Sequence, residues 1–167
     1  RAVIPIAEVP DDCLPTLYSK NRRRSFKRSA KQLATFGQVS YSFADKANTT
    51  AEDVQAFLEL EAMGWKGEEG TALLSSSGHE QFCREMATRF AADEQLIIYQ
   101  LLIDDMPVAS ALNMRSADDV FCFKIGWNPE FASGSPGILN ELNFLQTCRE
   151  NLPNIRMTDS CAKPGSY

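Results

Sequence analysis

Phe121-Cys122-Phe123-Lys124-Ile125-Gly126-Trp127, followed after a loop by Ser135-Pro136-Gly137-Ile138, is the passage on which the fold turns. Its apolar and aromatic residues, bounded by turn formers, read as a strand over Val120–Trp127. Asn128–Gly134 is a loop, and a helix follows from Pro136 to about Glu150. Ser135 is a favoured N-cap, Pro136 suits the first helical position, and Gly137 leaves the second one bare. A helix N-terminus at the end of a strand offers free N–H groups and the positive end of a dipole, which together suit an anion. Gly134 and Gly137 would let a phosphate approach closely, although the same residues also describe a well-capped helix and nothing more. Gly126 marks either a bulge or a close approach to the backbone by a ligand. Lys124 is either an unusual charge on an inner face or an ordinary rim lysine.

Working outward, the strand ends a meander. Gln95–Ile103 is strongly apolar, Asp104–Pro107 turns, Pro107–Arg115 resumes, and Ser116–Asp119 turns again. Beyond the helix, Ile155–Thr158 is a short last strand that reaches Asp159. On the N-terminal side, Thr49-Thr50-Ala51-Glu52 is a capping box opening a helix with an apolar face of Val54, Phe57, Leu58 and Met63, ending near Gly64. Ser77-Gly78-His79-Glu80 is a second capping box, before Phe82, Met86 and Phe90 at i, i+4 and i+8. Val39–Phe43 alternates as a half-buried strand, and Ser19–Leu33 is a helix with Phe26, Ala30 and Leu33 on one side. Residues 1–19, with Pro5, Pro10 and Pro15, read as a linker or the tail of a preceding unit, leaving 20–167 as one domain. The order of elements predicts an α/β (α+β) fold with a mainly antiparallel mixed sheet flanked by helices.

The 167 residues suffice for one core, and no apolar run is long enough for a transmembrane helix. No signal peptide is visible. Five cysteines without a CxxC pair show neither zinc-ligand spacing nor a disulfide framework, so we expect reduced thiols in a cytoplasmic protein. The first residue is Arg1 and the last Tyr167, which reads as a piece of a longer chain. Residues 1–32 hold eight bases and three acids, a charge of +5, against nine bases and nineteen acids, −10, in the rest. The basic run is open to three readings: a nucleic-acid contact, an anionic ligand, or a solvated helix on an acidic body. A body at −10 repels phosphate and no aromatic–basic interleaving of the stacking kind is present, so no nucleic acid is expected.

Four stretches then carry a resemblance. They are Trp65-Lys66-Gly67 with Thr71-Ala72, Met106-Pro107-Val108-Ala109, Phe123–Trp127 through Phe131 to Ser135-Pro136-Gly137, and Asp159-Ser160-Cys161-Ala162. In order and spacing they resemble the GNAT-type acyltransferase domain of CelD-like, cellulose-biosynthesis proteins, which are related to the Fem peptidyltransferases. The resemblance implies a GNAT fold, an acyl-CoA donor such as acetyl-CoA, and transfer of the acyl group to an amine or hydroxyl of a small-molecule or polysaccharide-precursor acceptor. It implies that Lys124, Ile125, Gly126 and Trp127 hold the pantetheine arm, and that Ser135, Pro136, Gly137 and Ile138 hold the pyrophosphate. Asp159, with Glu68 and Glu69 behind it, is the candidate base for the acceptor, while His79 reads as a surface residue. Ser-Gly-Ser-Pro-Gly replaces the usual GNAT phosphate loop, as the CelD-like branch tends to have. Fem relatives use aminoacyl-tRNA or a lipid-linked precursor, and a complete GNAT domain continues beyond Asp159 with a helix and two strands. A non-catalytic lobe of a two-lobed Fem-like transferase is therefore the alternative, its partner a second GNAT-like lobe.

Overall fold

The computed structural model describes residues 3–6, 14–45 and 48–162, without the side chains of residues 14 and 15. In chain order the elements are β1 (Val3–Ile4), α1 (Leu14–Leu17), α2 (Lys20–Leu33), β2 (Val39–Asp45), α3 (Ala51–Ala62), α4 (Trp65–Glu68), α5 (Ser77–Ala92), β3 (Leu96–Ile103), β4 (Met106–Ser116), β5 (Asp119–Trp127), α6 (Pro136–Asn151) and β6 (Met157–Asp159). One six-stranded sheet runs β1-β6-β5-β4-β3-β2. All neighbours are antiparallel except β5 and β6, which a helical crossover makes parallel. The expected mixed, mainly antiparallel sheet is therefore present, and Val3–Ile4, placed by sequence in a linker or tail, form its edge strand against β6.

Alternation along β3 divides the core. Leu96 and Ile98 point to the side where Val54, Phe57 and Leu58 of α3 and Cys83 and Ala87 of α5 pack. Ile97, Tyr99, Leu101 and Ile103 point to the other, where Leu139, Leu142 and Phe144 of α6 and Phe26 and Leu33 of α2 pack. The two faces therefore carry different helices, α3 and α5 on one and α2 and α6 on the other.

Three local expectations are corrected. The first capping box lies one residue later, with Thr50 as N-cap exchanging hydrogen bonds with Asp53. Ser77 is already helical, and the N-cap before it, Ser76, makes no side-chain cap bond. The buried faces also rotate. Met63 is 48% exposed while Glu61, seven residues after Val54, is buried on α3. On α5 Cys83 and Ala87 are buried, Met86 and Phe90 pack partly, and Phe82 is left 58% exposed.

Candidate functional site

β5 and β6 run together only briefly. Asp119, Val120 and Phe121 pair with Met157, Thr158 and Asp159, and among the described residues no strand flanks Cys122–Trp127 on that side. On its other side β5 follows β4 to the end, but the register slips between Leu112 and Asn113, leaving Phe123 without a partner of its own. This bulge lies where β5 leaves β6, and bulges bend and twist a strand. Of the two readings of Gly126, the bulge lies instead at Phe123.

The direction of the backbone groups follows from alternation. Asn128 N–H donates to the Val108 carbonyl at 2.9 Å, so residues 128, 126 and 124 address β4. Ile125 and Trp127 then direct their N–H and C=O groups to the open side. The Ile125 carbonyl accepts from Lys66 Nζ at 3.0 Å, which leaves its N–H as a donor at the edge of the parting.

That edge leads into the N-terminus of α6. Six residues of 3-10 turn, Pro129–Gly134, bring the chain round, and Ser135 caps α6 in the left-handed region at φ 50° without a side-chain cap bond. Pro136 has no N–H, so Gly137 and Ile138 present the first free donors of the helix. Pro136 and Gly137 are buried, whereas Ile138 is 44% exposed. The glycines have structural neighbours. A Cβ on Gly137 would stand 3.1 Å from Cδ1 of Trp127, and one on Gly134 would strike the Leu33 side chain. At Gly126 the close approach is made by α3, with Glu61 Cα and the Leu60 carbonyl carbon each 2.6 Å from a Cβ there. The nearest neighbour of that glycine is thus protein, and it fixes the distance between α3 and β5.

Lys124 is neither a rim lysine nor an unpaired inner charge. Its Nζ donates to Glu61 Oε1 at 2.9 Å, Lys66 Nζ stands 3.5 Å from the same oxygen, and Leu73 N–H donates to Oε2 at 2.8 Å. Burial alone would raise the Glu61 carboxyl. The Lys124 hydrogen bond, the Leu73 N–H and the charges of Lys124 and Lys66 outweigh it, holding the carboxyl below its ordinary range. The two lysines are 28% and 23% exposed and share one carboxylate, so this cluster holds one more positive group than negative. Sequence reasoning missed Glu61. Its signal was the i, i+3, i+4, i+7 spacing from Val54 through Phe57 and Leu58.

The expected base, Asp159, is buried at the apex of the parting, paired with Phe121, and its Oδ1 accepts from Cys161 N–H at 2.9 Å. Glu68 is exposed on α4, two residues from Lys66, and Glu69 and His79 are exposed as well. Glu141, on α6, is a carboxyl that the sequence did not single out. Its Oε1 is buried without a hydrogen-bond partner among the described residues, and burial pushes its pKa up to about 7. Burial also raises the Cys122 thiol, and the nearby Glu141 and Cys161 raise it further. Two carboxyl groups, Asp159 and Glu141, thus stand near the first residues of β5 that lack a β6 partner. The four described cysteines are free, and among the described residues no group of side chains could hold a metal ion.

A family model described as an acetyltransferase (GNAT) domain matches residues 20–162. Among solved structures the chain is similar to FemX, at 11% identity and a TM-score of 0.66, covering 98% of this chain and 54% of that one. It is similar to a conserved protein of unknown function from Bacteroides thetaiotaomicron, at 15% identity and TM-score 0.59, over 95% and 48% of the two chains. A third is the C-terminal DUF2156 domain of a putative lysylphosphatidylglycerol synthetase from Agrobacterium fabrum, at 10% identity and TM-score 0.55, over 94% and 44%. The chain thus spans about half the length of these structures, and at such identities they speak for the fold alone. No curated protein matches in sequence.

Proposed function

The chain belongs to the acetyltransferase (GNAT) domain family, and from that premise we propose that it binds an acyl-CoA along the open edge of β5 and transfers the acyl group to an acceptor. The observation that carries this reading is the parting of β5 from β6 after Phe121, which runs directly into the bare N-terminus of α6. The pantetheine arm lies against Lys124–Trp127, where it meets the outward N–H groups of Ile125 and Trp127. The pyrophosphate lies at Ser135–Ile138. The coenzyme supplies the thioester as a substrate, and the chain's own groups do the rest.

In the reaction the acceptor nitrogen or oxygen attacks the thioester carbonyl carbon. The developing oxyanion takes a hydrogen bond from an outward N–H of β5. The new C–N or C–O bond forms, the C–S bond breaks, and the acceptor's proton passes to a carboxylate and on to the departing thiolate. Asp159 and Glu141 stand near the apex as candidates for that transfer, and Glu68, exposed on α4, is the further candidate. A carboxyl group poised near neutrality suits general-base and general-acid work in turn.

The CelD-like order of motifs supports an amine or hydroxyl acceptor on a small molecule or polysaccharide precursor, and the reduced cysteines fit a cytoplasmic setting. Residues 20–167 form the catalytic unit in this reading. One observation favours a second reading: 98% of the chain superposes on about half of FemX. This unit would then be one lobe of a larger transferase, acting beside a second GNAT-like lobe.

The test is calorimetric titration of acetyl-CoA into the chain, with free CoA beside it, for the wild type and Ile138→Glu. A carboxylate at the first turn of α6 suits the helix dipole and leaves the fold stable, yet it repels a pyrophosphate. Micromolar binding that falls at least about tenfold in Ile138→Glu is the expected result. Binding unchanged by the substitution sinks the phosphate assignment. Binding confined to the longer protein favours the lobe.

A further inference from the structure

The outward face of α2 forms a single stripe of cations. At about 100° per residue, Lys20, Arg24, Lys27, Arg28 and Lys31 fall within an arc of roughly 100° and extend about 16 Å along the axis. All five are exposed, and none has an ion pair or hydrogen bond among the described residues. The helix has seven Lys or Arg and no acid. The other two belong to its inner rim: Arg22 stands 5.3 Å over the Phe26 ring, and Arg23 has its Nε buried.

The fold also separates charge across the sheet. α2 lies on the α6 side, and α3 and α5 on the other. Residues 51–92, which carry α3, α4 and α5, hold eight acids against three bases, a net of −5. Two helical layers flanking a sheet stand about 20 Å apart, and the Debye length at physiological salt is about 8 Å. Half of the −10 that argued against a phosphate partner is therefore screened from anything approaching α2.

We propose that this stripe is a binding surface for the phosphodiester backbone of a nucleic acid. Its composition excludes the competing partners. A protein interface needs an apolar or aromatic centre and is depleted in Lys, and this face has no apolar side chain. A helix lying in a membrane buries its apolar side in lipid, and here Phe26 and Leu33 are already buried in the domain core. A narrow line of exposed Lys and Arg, each about 4.5–6 Å further along the axis except where Lys27 and Arg28 are adjacent, suits a linear polyanion read by charge and not by base.

Fluorescence anisotropy of a labelled mixed-sequence DNA duplex, titrated with the chain over a range of salt, tests this. Five phosphate contacts predict a slope of log K against log salt near −4.5, or a loss of roughly 500-fold between about 50 and 200 mM. Replacing Lys20, Arg24, Lys27, Arg28 and Lys31 together by Gln abolishes the binding. Each single replacement lowers the slope by about 0.9. Gln is nearly as good a helix former as Lys or Arg, so circular dichroism remains unchanged. No duplex binding at low salt, or equal binding by the fivefold variant, overturns the proposal. So does binding to phosphatidylglycerol vesicles without duplex binding, which points to a lipid surface, or salt-sensitive self-association alone, which points to a second copy.

Discussion

A carboxylate with no exposed surface is tolerable on α3 because two lysines and a backbone N–H converge on it. Removing it with Glu61→Ala strands Lys124, Lys66 and the Leu73 N–H in a half-buried site. Breaking such a pair costs about 3–5 kcal/mol, with the lower end expected because both ammonium groups can turn toward water. Urea unfolding measures it, and a loss below about 1 kcal/mol overturns the assigned role. The sign with pH follows from the lowered carboxyl. Glu61 stabilises the fold above its unfolded value and loses that contribution as pH falls through its folded one, so Glu61→Gln flattens the acid limb. Glu141 works the other way. Burial raises it to about 7, so its protonated form suits the fold and stability declines as pH climbs from the ordinary carboxylate range toward 7. Glu141→Gln should therefore melt at a higher temperature than wild type at pH 8 and close to it at pH 4. Parallel melting curves across that range contradict the raised carboxyl.

At the scale of elements, the approach of α3 to β5 through Gly126 decides where Glu61 meets Lys124. A methyl group there stands 2.6 Å from Glu61 Cα, so Gly126→Ala must push a helix off a strand. Overpacking of this kind costs about 1–3 kcal/mol, and it weakens acetyl-CoA binding because the open edge of β5 moves with the helix. Unaltered stability in this variant shows that the approach is slack. The element order was legible in the sequence because periodicity and punctuation are local: the meander turns, the Ser135-Pro136-Gly137 start of α6 and the alternation of β2 all depend on neighbours in the chain. Choices between adjacent candidates were not. Thr49 and Thr50 both offer an N-cap, and Thr50 holds it by exchanging bonds with Asp53. Met63 yielded the core to Glu61 because the charge of Lys124, sixty-three residues away, satisfies the carboxylate. The bulge at Phe123 and the early end of the β5–β6 pairing also depend on distant strands, so the start of α6 was readable and the parting of the strands before it was not.

At the scale of the whole molecule, the first residues close the far side of the sheet. β1 pairs Val3 with Asp159 and Ile4 with Thr158, so it flanks the strand whose parting from β5 opens the site. Ile6 is 3% exposed within the cluster of Val120, Phe144 and Cys148, and Arg149 Nε donates to its carbonyl at 3.0 Å. A segment that read as a linker or tail thus contributes a core side chain, a strand and the acceptor for an α6 arginine. Starting the chain at residue 7 deletes all three. Loss of one buried isoleucine costs about 2–5 kcal/mol, and the uncovered β6 edge invites pairing between chains. Urea unfolding joined to sedimentation velocity reads both effects. The expected outcome is a lower midpoint together with concentration-dependent association. A truncated chain that unfolds at the wild-type midpoint and stays monomeric would return these residues to a linker and place the boundary of the folding unit at α2.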